Sequence, residues 1–187
     1  MVPAVRGGLG KRGAIVFMEA INNTVDFVPD ASNTRMLRNA FGRFATGVTI
    51  VTAQSVHGPI AITANSFASV SLDPPLVLWS PDRNSRRFAH FETARHYAIH
   101  VLASDQDELC WKIAEDAYGL SDDELTLNEQ GVPVLRNCLA KFECAQRSVF
   151  EGGDHAIVVG EVLRATYEEE REALGFFGGK PGKFVAM

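Results

Sequence analysis

The sequence predicts a mainly β protein with a few helices: a closed or nearly closed antiparallel barrel with helices over its ends and seams. Three observations predict it. About seven strand-like runs stand against three helical ones. Short turn sequences such as "QSVHGP" and "EGGD" join consecutive runs and favour hairpins. Strands and helices do not alternate as a parallel doubly wound sheet requires.

The elements follow in order. In "SNTRMLRNAFGRFATG", Ser32 or Asn33 can cap a helix, Met36, Leu37, Ala40, Phe41 and Phe44 share one apolar face, and Gly47 can close it. "VTIVTA" (48–53) and "IAITANSF" read as two strands of a hairpin. The prolines of "LDPP" break the chain, because neither donates to a ladder, and "LVLWS" (76–80) is a short buried strand. "DRNSRRFAHFETA" is a loop entering a helix, with Ser85 near the first turn, and "HYAIHVLA" (96–103) is a strand. Ser104 with Asp107 forms a possible capping box for a helix in "DQDELCWKIA". The acidic segment 116–137 reads as a long surface excursion. "CLAKFECAQRSVF" and "HAIVVGEVLRATY" form a second hairpin, "EEERE" a solvated turn, and "LGFFGGKPGKF" a short edge strand.

The totals bound the function. A chain of 187 residues with 46% hydrophobic and 22% charged residues suits one domain of ordinary size. We expect that domain over residues 31–187 and a poorly ordered extension over 1–30. A net charge of −5 argues against nucleic acid as a partner, since phosphate binding needs clustered cations. There is no apolar run of about 18 residues to span a membrane. The N-terminal "AIVFM" is too short for the apolar region of a signal peptide. Cys110, Cys138 and Cys144 are odd in number and form no C-x-x-C, so reduced thiols in a cytoplasmic protein are expected.

The stretch from Ala61 to Ser71 is unusual. A strand period of two puts Ile62, Ala64, Ser66, Ala68 and Val70 on one face, and Ala61, Thr63, Asn65, Phe67, Ser69 and Ser71 on the other. The second face carries short neutral polar groups and no charge. Either the groups satisfy one another and the backbone, or a planar heterocycle covers them, since each one buried unpaired costs about 1–3 kcal/mol. Further on, Asn84, Ser85, Arg86 and Arg87 stand at the expected helix start, where free amides, a hydroxyl and guanidinium groups make an anion site. A neutral polar plate beside an anion cup suits a nucleotide-like ligand.

"FGRFATGVTIVTA", "ITANSFASVSLDPPLVLWS", "RNSRRFAHF", "YAIHVLASDQDEL" and "GGDHAIVVGEV" occur in that order, and together they resemble the flavin reductase-like, FMN-binding split-barrel family. The resemblance runs from about Met36 to Phe184. It implies a Greek-key split barrel acting as a homodimer. It implies an NAD(P)H:flavin oxidoreductase, using NADH or NADPH and FMN or FAD, that supplies reduced flavin to a separate monooxygenase. It implies that Thr63, Ala64, Asn65 and Ser66 line the isoalloxazine, that Ser69, Val70 and Ser71 lie along the flavin chain, and that Ser85 and Arg86 hold phosphate. It implies that His155 faces flavin and nicotinamide in a positioning role, with Asp154 able to fix its tautomer. Trp79, Phe88 and Phe184 are candidates to stack on a ring. The rival is a flavin-binding electron carrier without nicotinamide-dependent turnover. Serine hydrolase chemistry is disfavoured, since no serine sits in a G-x-S-x-G elbow. No metal site is expected.

Overall fold

The computed structural model describes residues 24–184. They fall into two parts, which end and begin at Phe41 and Gly42. The expected extension lies outside the described residues over 1–23.

In the first part, α1 (Thr34–Phe41) follows a turn in which the Asp30 carboxylate accepts from the Ser32 amide and hydroxyl. The Asn33 carbonyl receives the Met36 and Leu37 N–H groups, but its side-chain oxygen turns back to the Asp30 N–H, so the expected side-chain cap is not made. No residue of α1 is buried, and the helix stops before Phe44. Gly47 does not close it; that glycine lies in a strand.

Among the described residues the second part holds twelve strands. A seven-stranded antiparallel sheet has the order β3 (Gly58–Ala64), β2 (Thr49–Ser55), β6 (His96–Val101), β9 (Ala140–Gly152), β10 (His155–Tyr167), β5 (Pro75–Trp79), β4 (Ala68–Leu72). Its width over six intervals would be about 29 Å if flat. Yet β3 and β4, its two edges, are joined by residues 65–67 alone, a link of at most about 14 Å. The sheet must therefore curl until its edges approach, which is the expected nearly closed barrel. Residues 65–67 cross its seam.

β2 is buried on both faces. Val51 and Ala53 point into one core with Ile60, Trp79, Phe91, Tyr97, Ile99 and Val158, while Ile50 points into a second with Val48, Ala61, Leu102, Ile113 and Leu174. That is the period of two, with both phases apolar. The second core is covered by α3 (Asp107–Glu115) and a three-stranded sheet of β1 (Thr46–Gly47), β11 (Leu174–Phe177) and β12 (Lys180–Lys183).

Several expectations need correction. "LGFFGGKPGKF" is a two-stranded hairpin rather than one edge strand, because Gly178 and Gly179 take positive φ of 59° and 81° and permit a two-residue turn. The 116–137 segment is not merely superficial: β7 (Leu125–Leu127) pairs β8 (Pro133–Leu135), and Leu125, Val132, Val134 and Leu135 are buried. The capping box at Ser104 and Asp107 does not form; instead the Gln106 side chain accepts from the Ala103 N–H. No helix among the described residues is long and apolar enough to cross a membrane.

Candidate functional site

The seam is where the sequence-predicted polar plate breaks. β3 ends at Ala64 and β4 starts at Ala68, so the alternation does not run through. Ile62 and Ala64 pack on the first core, and so does Phe67, whose ring stacks on Phe142 at 5.4 Å. An even-numbered pair and an odd-numbered residue thus point the same way, and the phase resets across Asn65 and Ser66. Val70, expected to pack, is exposed at the bulge of an edge strand.

What remains of the plate is one wall of a cleft of about 240 Å³, lined by Thr63 and Ala64 at the end of β3 and Asn65 just after it, by Cys110, Trp111 and Ala114 from α3, and by Val48 and Phe176. Hydrogen bonds fix α3 against β3. The Thr63 hydroxyl donates to the Cys110 carbonyl at 3.0 Å, and the Ala61 N–H donates to the Ala117 carbonyl at 2.8 Å. The Arg87 guanidinium forks onto the last carbonyls of α3, Ile113 at 2.7 Å and Ala114 at 3.0 Å. Buried Val48 and Cys110 supply an apolar surface, and desolvation raises the Cys110 thiol above its ordinary pKa. The cleft therefore presents no ionised side chain at neutral pH.

The other sequence-predicted residues divide between use and availability. The Ser66 hydroxyl donates to the Ser80 carbonyl and accepts from the Ser80 N–H at 2.9 Å, stapling the seam to the end of β5. The side chains of Asn65, Ser69 and Ser71 make no hydrogen bond among the described residues. The Ser85 hydroxyl accepts from the Arg87 N–H and keeps its own proton to donate. Arg86 is exposed and without a partner among the described residues. The expected cup of helix amides is absent: α2 (Phe88–Glu92) has five residues and begins after this turn, and the Ser85, Arg87 and Phe88 amides are already bonded within it. The Asn84 side-chain amide, the Ser85 hydroxyl, and the Arg86 N–H and guanidinium remain as anion donors.

His155 opens β10 after the turn at Gly153, whose φ is 76°. Its Nδ1 lies 2.8 Å from the Asp154 carboxylate, so Nδ1–H is the donor, and in the neutral ring Nε2 is then the acceptor. Residues 81–83 are tied to this turn: the Ala156 N–H donates to the Pro81 carbonyl, and the Arg83 N–H to the Asp154 carbonyl. His155 thus shares a loop cluster with Ser85 and Arg86 and does not line the cleft. Phe184 also stays outside it, with its ring against Gly175. Trp79 and Phe88 are buried and present no face to a ligand.

Trp111 and Phe176 line the cleft, and the sequence reading missed both. In "DELCWKIAE", Leu109, Cys110 and Ile113 face the core, so Trp111 is a large apolar residue on the wrong side of its helix. That was the available signal. Phe176 shares a face with buried Leu174 and gives no sign of a cleft before the hairpin is placed.

Comparisons with known proteins bear on the fold and the activity. A flavin reductase like domain model matches residues 41–184. The FMN reductase (NADH) SmoA of Agrobacterium fabrum is 51% identical over 158 residues, 84% of this chain and 90% of its own length. The reductase subunit HsaB of a flavin-dependent monooxygenase from Rhodococcus jostii is 34% identical over 81% of this chain and 78% of its own. The structure of the NADH:FAD oxidoreductase SgcE6 of Streptomyces globisporus, in complex with NAD and FAD fragments, superposes with a TM-score of 0.78 at 36% identity, covering 84% of this chain and 96% of that one. The split-barrel fold, the flavin reductase activity and the use of flavin with a nicotinamide donor are the expectations these relatives bear out. The chain belongs to the flavin reductase-like family.

Proposed function

We propose that this chain reduces FMN with NADH in the cleft at the barrel seam and passes reduced FMN to a separate flavin-dependent oxygenase. The observation that carries the reading is the cleft's composition. One unengaged amide, Asn65, stands among apolar and aromatic walls with no ionised group, which is what a flat heterocycle with hydrogen-bonding edges fits. The choice of FMN and NADH rests on the name of the relative at 51% identity, and the oxygenase on that of the reductase subunit.

Flavin, when bound, supplies the two-electron acceptor chemistry. The chain's own part is to bind and orient. Asn65 offers both a donor and an acceptor to the ring edge, and Thr63, already bonded to α3, keeps that wall rigid. Ser69, Val70 and Ser71, on the edge strand that continues from the seam, follow the ribityl chain, and Ser85 and Arg86 take the phosphate. His155 presents Nε2 to orient the nicotinamide, and Asp154 holds its tautomer.

A homodimer completes the site in this reading. A volume of about 240 Å³ is below the roughly 300–1,000 Å³ typical of ligand pockets, so one chain covers only part of a flavin. Phe44 and Phe177, 77% and 50% exposed, lie on one ribbon where Thr46 pairs Phe176 and the Gly178 N–H meets the Gly42 carbonyl. An apolar ribbon of this kind suits a second copy. Three unpaired cysteines fit a reducing, cytoplasmic setting. We take residues 31–187 as the working domain.

Steady-state oxidation of NADH and NADPH, each with FMN and with FAD, tests the function. Turnover fastest with NADH and FMN is expected. Tight FMN binding without oxidation of either nucleotide would make the chain a flavin carrier instead.

A further inference from the structure

We propose that Trp111 is the stacking wall of the cleft, and that it makes the cleft prefer oxidised over reduced flavin. The inference rests on the placement of the ring in this cleft.

The chain has two tryptophans, and they are used in opposite ways. Trp79 is fully buried, with Phe91 edge-on to it at 5.3 Å between ring centroids. Trp111 is 47% exposed and lines the cleft. An indole left half in water forgoes much of the burial that makes tryptophan stabilising. Nothing in the fold requires it, since Leu109, Cys110 and Ile113 already supply the face that α3 packs on the second core. Its neighbours across the cleft are Asn65, an unengaged amide, and Phe176, a second ring from a different element.

The helix carrying Trp111 is held rigidly. Arg87 clamps its last carbonyls, and Thr63 bonds the carbonyl of the preceding residue, Cys110. The indole is therefore mounted on a fixed support at the mouth of a neutral slot. An electron-rich ring in that position attracts a flat, electron-poor one. Oxidised isoalloxazine is planar and electron-poor; the dihydro form is electron-rich and not held flat. A stacking wall thus holds the substrate form more tightly than the product form. That difference suits an enzyme whose reduced flavin must leave.

The test compares wild type with Trp111→Ala, Trp111→Leu and Trp111→Phe, using FMN and, anaerobically, reduced FMN as the probes. Far-ultraviolet circular dichroism checks that each variant keeps its fold. Trp111→Ala and Trp111→Leu are expected to weaken oxidised FMN about five- to tenfold and reduced FMN less than twofold, with Trp111→Phe recovering most of the loss. Unchanged affinity for oxidised FMN in Trp111→Ala, or an equal loss for both forms, overturns the inference. Asn65→Leu, run beside them, separates the two readings. If it weakens FMN while Trp111→Ala does not, only the stacking role fails. If neither variant weakens FMN, the ring is not in this cleft.

Discussion

Gly160 has no side chain because Tyr97 occupies the space. A Cβ there would lie 2.1 Å from the Tyr97 hydroxyl and 2.9 Å from the carbon that bears it, inside the first core. Gly160→Ala is expected to cost about 1–3 kcal/mol through overpacking, read as a shift of the urea midpoint. Tyr97→Phe in the same chain should restore part of it, because the closest atom is then gone. His100 is a second residue whose environment fixes its behaviour. It is fully buried, with Nδ1 against the Ile50 carbonyl at 3.0 Å and Nε2 accepting from the Leu135 N–H at 3.1 Å. Burial lowers its pKa from 6.5 to about 4, so the folded chain binds its proton later than the unfolded one. Stability is therefore full above pH 6.5 and falls as pH drops from 6.5 to 4, by about 3 kcal/mol in all. Denaturant titrations across that window should show the slope, and His100→Asn should flatten it.

At the scale of elements, Arg87 does the work that a C-cap residue does elsewhere. It donates to two carbonyls at the end of α3, and no side chain caps the start of that helix. Arg87→Lys should not substitute, because an ammonium lacks the planar fork. We expect a loss of about 1–2 kcal/mol in stability and weaker FMN binding, since α3 carries one wall of the cleft. Affinity unchanged in a destabilised Arg87→Lys would separate the helix clamp from the site. This arginine also shows what the sequence leaves open. "NSRR" reads as an anion site, and from the string alone the two arginines are equivalent. Only when α3 folds back against β3 does Arg87 find carbonyls and Arg86 remain exposed. Local patterns held where a single rule governs: the apolar runs of β2 and β6, and the glycine turn between β9 and β10. They failed where tertiary contact decides. Alternation was carried through Asn65 and Ser66, although the seam resets it there. The acid-rich start of 116–137 concealed Leu125, Val132, Val134 and Leu135, which the barrel wall buries.

At the scale of the whole molecule, a sheet whose first and last strands are joined by three residues must curl, and its seam leaves Thr63 and Asn65 on one wall of a cleft. The cleft at that seam is smaller than a typical ligand pocket, so, if a second copy completes it, assembly and activity are expected to fall together. Sedimentation velocity should give a dimer. Phe44→Asp with Phe177→Asp should shift it toward monomer and lower NADH–FMN turnover at least tenfold. A monomer with full turnover would remove the second copy from the site. A crystal structure of the FMN complex tests the ring's location most directly. The ring should lie against Asn65 and Trp111, with the phosphate at Ser85 and Arg86. A ring found anywhere else on the barrel, with the cleft between β3 and α3 empty, would contradict the assignment.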